Sequence, residues 1–400
     1  VFNYVDRNIL NLLLQPIKED LGASDTAMGF LTGFAFAIFY AVMGLPIARW
    51  ADRGTRRSIL ALGLAAWSAM TVASGFARTF AEMAWARVGV GIGEAAGTPP
   101  SHSMISDYFP PERRATALSI YAMANYLGLA VGFGIGGWVA TRYGWRWAFI
   151  VMGAPGLVLA LVVRFTVREP VRGRFDTGTN VEPVSARDAV KFLVAQRSYL
   201  WLNIAGAFSA VLGYGYGVWG PTFLARVHGM EISEIGAWLG ILGAIGGVAG
   251  TFAGGRLSDR LGARDISWYM RIAMLSCFIN VPVNIALLFA PKAGALALYL
   301  PHALIHAFYV APLFATMQVV ARPQMRAMVV AIHLMIVNLI GLGAGPLLVG
   351  MLNDILNARL GDEAVRYSLL VVTFTGAIAG FFYLLAARTL RKDVERARLG

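Results

Sequence analysis

The chain has 400 residues and a net charge of +12; 58% of its residues are hydrophobic and only 14% are charged. A soluble globular domain carries roughly 25% charged residues, so this composition excludes a soluble protein and indicates an all-α protein that crosses a membrane many times. The basic residues lie in short segments between apolar runs, which excludes a nucleic-acid-binding surface, and the single cysteine, Cys277, excludes an internal disulfide.

Apolar runs predict twelve membrane spans, which we number in chain order. They cover about 1–15, 26–48, 58–77, 82–106, 116–140, 147–164, 199–224, 235–255, 268–290, 294–321, 327–352 and 365–388. The first apolar stretch is short for a span, so we expect the sequence to begin partway along span 1.

The longest polar segment, 165–198, separates spans 1–6 from spans 7–12. We therefore predict an N-terminal half at 1–164, a cytoplasmic linker at 165–198 and a C-terminal half at 199–400. With the N-terminus inside, the loops and tail on one side of the membrane carry 24 of the 34 Lys and Arg residues, and the loops on the other side carry 8. Because basic loops stay in the cytoplasm, we predict a protein of the inner membrane of the cell with both termini cytoplasmic.

Two loops, at 48–57 and 255–264, repeat the same pattern, and their Asp-Arg pairs lie 207 residues apart. Arg-Ala pairs at the starts of spans 5 and 11 lie 212 residues apart. This repeat predicts two six-helix halves related as parallel repeats. Such repeats place a substrate path at their interface, near the bilayer midplane.

The repeated loop resembles the signature loop of the major facilitator superfamily, Gly-x-x-x-Asp-Arg-x-Gly-x-Arg/Lys. The copy at 255–264 fits the pattern, whereas the first copy has Ala48 in place of Gly and Gly54 one place early. The resemblance implies the superfamily fold and a cytoplasmic latch in which Asp52 faces the start of span 11 and Asp259 faces the start of span 5. The implied latch residues are Asp52, Arg53, Arg56, Arg57, Arg114, Asp259, Arg260, Arg264 and Arg326.

Glycines in span 5 (Gly128, Gly132 and Gly136–Gly137) resemble the antiporter motif of the same family, with Phe133 in place of its proline. Close helix packing needs small residues as well. The motif therefore leaves both explanations open.

Four charged residues lie well inside predicted spans, away from the span ends: Asp6 and Arg7 in span 1, and Arg87 and Glu94 in span 4. Asp6 and Arg7 lie about ten residues from the outer end of span 1, hence ~15 Å deep. Arg87 and Glu94 are seven residues apart and share a helical face. A charge at such depth costs at least ~2.5–3.5 kcal/mol and generally marks a transport pathway or a proton relay. Structural ion pairing is the alternative.

Residues 3–7 (Asn-Tyr-Val-Asp-Arg), 87–95 (Arg-Val-Gly-Val-Gly-Ile-Gly-Glu-Ala) and 110–121 resemble the spinster branch of the superfamily. The organic anion:cation symporter branch shares the Asp-Arg pair and the Gly-x-Gly-Glu-Ala pattern. The spinster resemblance implies transport of lysolipids and sphingoid lipids coupled to protons. The alternatives are a proton-coupled symporter of small organic anions and a multidrug-type efflux antiporter.

We predict a transporter rather than an enzyme, because no ATP-binding loop or membrane-protease signature accompanies the buried acids. Glu94 is the first candidate for the proton carrier and Asp6 the second, with a monomer and no cofactor expected. His302 and His306 have a spacing that suits a metal, but no third ligand is evident, so we expect none. The predicted substrate contacts are Arg7, Arg87, Tyr121, Met123, Asn125, Phe208, Tyr214, Trp219, His302, His306, Tyr309 and Asn338.

Overall fold

The computed structural model describes residues 1–175, 192–321 and 325–399, and in this part of the chain all twelve predicted spans are helical, with no strand. Spans 1–6 are Phe2–Leu12 with Leu14–Leu21, Asp25–Thr32 with Phe34–Arg53, Arg56–Ser74, Phe80–Glu94 with Thr98–Tyr108, Pro111–Tyr143 and Trp145–Thr166. Spans 7–12 are Arg197–His228, Ile232–Gly262, Trp268–Phe289, Lys292–Ala307 with Val310–Val320, Arg326–Ile336 with Gly343–Leu360, and Ala364–Leu399. Most of the predicted linker, 176–191, lies outside the described residues.

Five spans are interrupted, and apolar runs alone do not reveal this. Span 4 breaks between Glu94 and Thr98, just before Pro99 and Pro100, because a proline has no N–H to continue the helix. In span 11 the two α-helices are joined by a π-helical turn, Val337–Leu342. Turns of this kind occur mostly at functional sites.

Span 12 is longer than its apolar run, since the helix Ala364–Leu399 has 36 residues, whereas the prediction ended at 388. At 1.5 Å per residue it measures about 54 Å, against about 30 Å of hydrocarbon. Its last three turns therefore leave the bilayer. By length and hydropathy alone, eight stretches of the described residues qualify as spans. One of these, 328–397, runs through spans 11 and 12 together.

The chain forms two compact units. The first contains the described residues of Val1–Thr179 with Gly217–Ile241 and Pro346–Asp362. The second contains those of Asn180–Tyr216, Leu242–Gly345 and Glu363–Gly400. Spans 7, 8 and 11 each contribute residues to both units.

Close helix packing involves two glycines of the motif in span 5. A Cβ at Gly128 would lie 2.6 Å from Cβ of Tyr4 in span 1, and one at Gly132 would lie 3.2 Å from Cα of Val5. Small residues let helices approach this closely in membranes. The span 1–span 5 contact fixes the part of span 1 that carries Asp6 and Arg7.

Candidate functional site

An ion pair inside the first unit joins spans 1 and 4. Nη2 of Arg7 lies 2.6 Å from Oε2 of Glu94, and the Glu94 side chain is fully buried. Glu94 is the last residue of the helix Phe80–Glu94, beside the break in span 4. The other carboxylate oxygen, Oε1, is buried and has no hydrogen-bond partner among the described residues. In the described part of the chain, the ion-pair partner of Glu94 is Arg7, and Asn3 and Arg87 are further polar neighbours.

Aromatic rings surround the Arg7 guanidinium. Its Cζ lies 4.4 Å from the ring centroid of Phe36, 5.5 Å from that of Tyr4 and 5.8 Å from that of Tyr40. Such rings attract a cation through their π faces. The Arg7 side chain is 19% exposed, so it stays accessible while it pairs with Glu94.

The carboxyl group of Asp6 differs from that of Glu94 in its surroundings. It is fully buried, and neither carboxyl oxygen has a hydrogen-bond partner in the described part of the chain. Trp67 and Thr71 of span 3 are its nearest polar neighbours. A buried polar group without a hydrogen-bond partner costs free energy. The site thus contains two different acids: Glu94 forms an ion pair with a cation, and Asp6 does not.

Arg87 belongs to the same site but is buried inside the protein. Its Nη1 donates to the main-chain oxygen of Asp6 at 3.3 Å, and the residue is 2% exposed. Of the two predicted anion contacts, Arg7 is the accessible one in this structure, and Arg87 positions the backbone of span 1. Together Asp6, Arg7, Arg87 and Glu94 carry two negative and two positive charges when all are ionised.

Sequence analysis missed Trp67 and Thr71, which contact this cluster from span 3. Thr71 donates from Oγ1 to the Trp67 main-chain oxygen at 2.9 Å, and Nε1 of Trp67 is buried without a partner among the described residues. The sequence does place a threonine and a tryptophan four residues apart, on one face of span 3. Such pairs are common, so this one identifies the site only when it is known which face of span 3 meets span 1.

The predicted substrate contacts of the second unit lie in several places. Phe208 stacks on Phe382, with ring centroids 6.2 Å apart. His302 donates from Nδ1 to Oδ1 of Asn284 at 2.5 Å, and the His302 and His306 rings stack 6.1 Å apart. Tyr214 and Tyr309 are half-buried, and Asn338 lies in the π-helical turn of span 11. No group of three possible metal ligands occurs in the described residues.

The remaining predicted contacts belong to the first unit. Trp219 is fully buried and donates from Nε1 to the Pro346 oxygen at 2.9 Å, which makes it a packing residue in this structure. Tyr121 packs edge-on against His102, and Asn125 is half-buried. Met123 is 53% exposed.

Arg56, one of the implied latch residues, is buried in an ion cluster of the first unit. Its guanidinium pairs with Asp107 of span 4, with Glu169 after span 6 at 2.9 Å, and with Ser103 at 2.8 Å. Burial opposes the effect, but hydrogen bonds from the Arg57 N–H and the Arg56 guanidinium lower the pKa of the Glu169 carboxyl. Arg56 thus ties the ends of spans 3, 4 and 6 together.

The other implied latch residues show fewer contacts. The side chains of Asp52 and Arg326 lie outside the described part of the chain. Asp259 is exposed and accepts from the Tyr269 hydroxyl at 3.4 Å, Arg57 donates to the Val167 oxygen and Arg114 to the Ser106 oxygen. Arg53, Arg260 and Arg264 are exposed. The contacts predicted for Asp52 and Asp259 remain predictions.

Replacing Arg56 with alanine is expected to lower the melting temperature of the purified protein. The change leaves the carboxylates of Asp107 and Glu169 without their cation, at a cost of about 1–3 kcal/mol. Arg53→Ala, on the same loop but exposed, is the matched control and should melt like the parent. Because the pKa of Glu169 is lowered by folding, its contribution should be lost as the pH falls below the ordinary glutamate range. Equal melting of both variants with the parent would contradict the assignment.

A second ion cluster lies where spans 1, 2, 7 and 11 end, on the side predicted to be outside. We call it the outer ion cluster. Arg226 binds the Asp25 carboxylate with two hydrogen bonds, of 2.6 and 2.8 Å, and Lys18 lies 2.6 Å from it. The Asp354 carboxylate accepts the N–H groups of Asp25 and Thr26, at 3.1 and 2.8 Å. Sequence analysis counted Lys18 and Arg226 only among the eight basic residues of the outer loops and did not predict the cluster.

Backbone packing of spans 2 and 11 lies next to this outer ion cluster. A Cβ at Gly29 would lie 2.5 Å from the main-chain oxygen of Pro346. Asp25 and Arg226 are almost fully buried, with side chains 3% and 8% exposed. The outer ion cluster is therefore a closed, water-poor contact between residues far apart in the chain.

Comparison with known proteins places these features in one family. The sequence model of the Major Facilitator Superfamily matches residues 1–346. An MFS-type efflux pump of Mycolicibacterium smegmatis is 36% identical, over 99% of this chain and 92% of that protein. The sphingosine-1-phosphate transporter SPNS2 of Danio rerio is 26% identical, over 99% of this chain and 84% of that protein.

One solved structure is similar over nearly its whole length. It is the crystal structure of a bacterial homolog of the human lysosomal transporter Spinster, in an inward-facing and unoccupied conformation. It has a TM-score of 0.89 and 32% identity, and the match covers 98% of this chain and 95% of that one.

Proposed function

Because the chain belongs to the Major Facilitator Superfamily, and within it to the spinster branch, we propose that it is a proton-coupled secondary transporter of amphipathic lipids that works by alternating access. The observation that carries the proposal is the Arg7–Glu94 ion pair beside the unpartnered carboxyl of Asp6. Glu94 and an anionic head group compete for the same guanidinium. A proton on Glu94 releases Arg7 and so links proton uptake to substrate binding.

Lysophospholipids and sphingoid lipids are the substrates that we favour. The name of the Danio rerio relative, a sphingosine-1-phosphate transporter, supports this class. An accessible arginine among aromatic rings suits a phosphate head group followed by an apolar chain. A symporter of small organic anions would use the same arginine but would not need the aromatic rings around it.

Transport by the reconstituted protein tests the proposal. A fluorescent lysophospholipid in one leaflet of proteoliposomes should cross faster when a pH gradient is imposed than when the gradient is collapsed. A small organic dicarboxylate serves as the competing substrate. Gradient-driven movement of the dicarboxylate, with none of the lysolipid, would overturn the lipid assignment and support the symporter.

An efflux antiporter is the second candidate, because the Mycolicibacterium smegmatis relative is an MFS-type efflux pump and is 36% identical. The same vesicles distinguish the two. An antiporter moves a cationic dye against the proton gradient and shows little response to the lysolipid.

Alternating access requires a contact that seals one side of the substrate path and then opens. We propose that the outer ion cluster of Asp25, Arg226, Lys18 and Asp354 is that contact on the outside. Its burial supports this role, because an ion pair shielded from water resists screening by salt. Its members belong to spans 1, 2, 7 and 11, so both sequence halves contribute to it.

We also propose an inner-membrane location with both termini in the cytoplasm, and a monomer as the working form. In a Cys277→Ala background, cysteines introduced by Asp176→Cys and Lys292→Cys are expected to react with a membrane-impermeant maleimide from opposite sides. The positive-inside bias is the physical reason. Permeabilised vesicles are the control, since both sites should then react. Labelling of both from one side of intact vesicles would contradict the orientation.

A further inference from the structure

Five rings form a cluster inside the second unit that the proton and anion site does not use. His302 lies 5.1 Å from Tyr216, 5.7 Å from Tyr299 and 6.1 Å from His306, measured between ring centroids. Tyr309 meets His306 edge-on at 5.4 Å. These residues come from the middle of span 7, from span 10 and from the break within span 10. We call them the imidazole cluster.

Asn284 of span 9 orients the imidazole cluster. Its Oδ1 lies 2.5 Å from Nδ1 of His302, and Asn284 is fully buried. The amide oxygen is an acceptor, which assigns the proton of a neutral His302 to Nδ1 and leaves Nε2 as a lone-pair acceptor. A buried carboxamide thus fixes the tautomer of the ring.

His306 is the central residue of the membrane span Lys292–Val320. A Cβ at Gly213 would lie 2.6 Å from its Nε2, so the absence of a side chain at Gly213 makes room for the ring. His306 is half-buried, and among the described residues no hydrogen bond to its ring is present. An ionisable ring in the middle of a span with no hydrogen-bond partner is a candidate for a functional residue.

The five residues carry no fixed charge, and what they present is electron-rich: imidazole lone pairs and the faces of aromatic rings. An anionic group would find no cation here. A protonated amine offers both the N–H donors that the lone pairs need and the positive charge that ring faces attract. A hydroxyl group offers a hydrogen-bond donor but no positive charge.

We propose that the imidazole cluster binds the protonated amine of an amphipathic substrate, with His306 as the specificity-determining residue and Asn284 as its positioning partner through His302. The inference rests on the proposed function in that the ligand is an amphiphile carried by this protein. It does not depend on proton coupling or on which way the substrate moves.

Binding of three small probes of equal chain length tests the inference. Hexylamine, hexanol and hexanoate are titrated at neutral pH into the full-length protein in lipid nanodiscs, by calorimetry. Hexylamine should bind about tenfold more tightly than hexanol. His306→Leu should remove that difference, and His306→Gln, which keeps an acceptor, should restore part of it.

Two asparagines provide a matched control. Asn284 and Asn203 each place an Oδ1 against Nδ1 of a buried histidine, but Asn203 pairs with His333, outside the cluster, at 3.0 Å. Asn284→Leu should weaken hexylamine binding severalfold, whereas Asn203→Leu should leave it unchanged. Equal affinity for hexanol and hexylamine, or equal effects of the two asparagine variants, would overturn the inference. A failure of gradient-driven transport would count against the proposed function and leave this binding result intact.

Discussion

Glu94→Gln is expected to abolish transport driven by a proton gradient while leaving substrate binding at neutral pH in place. Glutamine imitates the protonated acid permanently, so residue 94 no longer competes as an anion with an anionic head group for the Arg7 guanidinium at any pH. Nothing then links the occupancy of Arg7 to the proton concentration. The measurement is lysolipid transport in proteoliposomes with and without a pH gradient, and passive exchange in the absence of a gradient is the internal reference.

Two further variants sharpen this test. Glu82→Gln, in an exposed position at the start of the same span, is the matched control and should respond to the gradient like the parent. Asp6→Asn removes the unpartnered acid and should reduce coupling while leaving the Arg7–Glu94 pair in place. If Glu94→Gln still follows the gradient, the coupling site lies elsewhere and Asp6 becomes the leading candidate.

Asp25→Ala is expected to open the outer ion cluster. Removing one partner of a buried ion pair costs roughly 3–5 kcal/mol, because the other charge stays buried and uncompensated. This energy is lost from the closed arrangement only, so the ratio of the opened to the closed arrangement should rise by about two to four powers of ten. Electron-spin distances between labels at the exposed positions Arg142 and Arg359 should shift to longer and broader distributions.

A nearby ion pair supplies the control for this prediction. Asp20 and Arg146 approach to 2.7 Å, but their side chains are 41% and 39% exposed. Such pairs contribute at most about 1 kcal/mol, so Asp20→Asn should leave the distances unchanged. The charge exchange Asp25→Arg with Arg226→Asp should restore part of the closed population. Unaltered distances in Asp25→Ala would mean that the outer ion cluster does not hold the outer side closed.

Hydropathy was sufficient to predict the twelve spans and to single out Asp6 and Glu94, because a charge within an apolar run is visible in the sequence itself. Hydropathy was not sufficient to predict which arginine forms an ion pair with Glu94. Arg7 and Arg87 are both within reach of Glu94 along the sequence pattern, and only the rotation of spans 1 and 4 about their axes selects Arg7. The rotation of span 1 is set by packing against span 5, and that of span 4 by packing against spans 2 and 3, and periodicity encodes neither.

The outer ion cluster illustrates a second limit. Asp25 and Arg226 are 201 residues apart and each lies at a span end, where a charge is ordinarily just an anchor at the membrane surface. Their pairing depends on how spans 2 and 7 meet. The helix of span 12 extends beyond the predicted membrane span for a simpler reason, since its charged last turns continue the same helix.

The charge balance of the four residues Asp6, Arg7, Arg87 and Glu94 has an electrical consequence. With all four ionised their sum is zero, so in the proposed alternating-access cycle the empty carrier would move no net charge through this cluster when it reorients. One proton together with one singly charged anionic head group leaves that sum unchanged. Moving a charge across the membrane potential is worth about 2.3 kcal/mol per 100 mV, and a carrier loaded in this way gains none of it. Transport with that stoichiometry is electroneutral: the pH difference drives it, and the voltage does not.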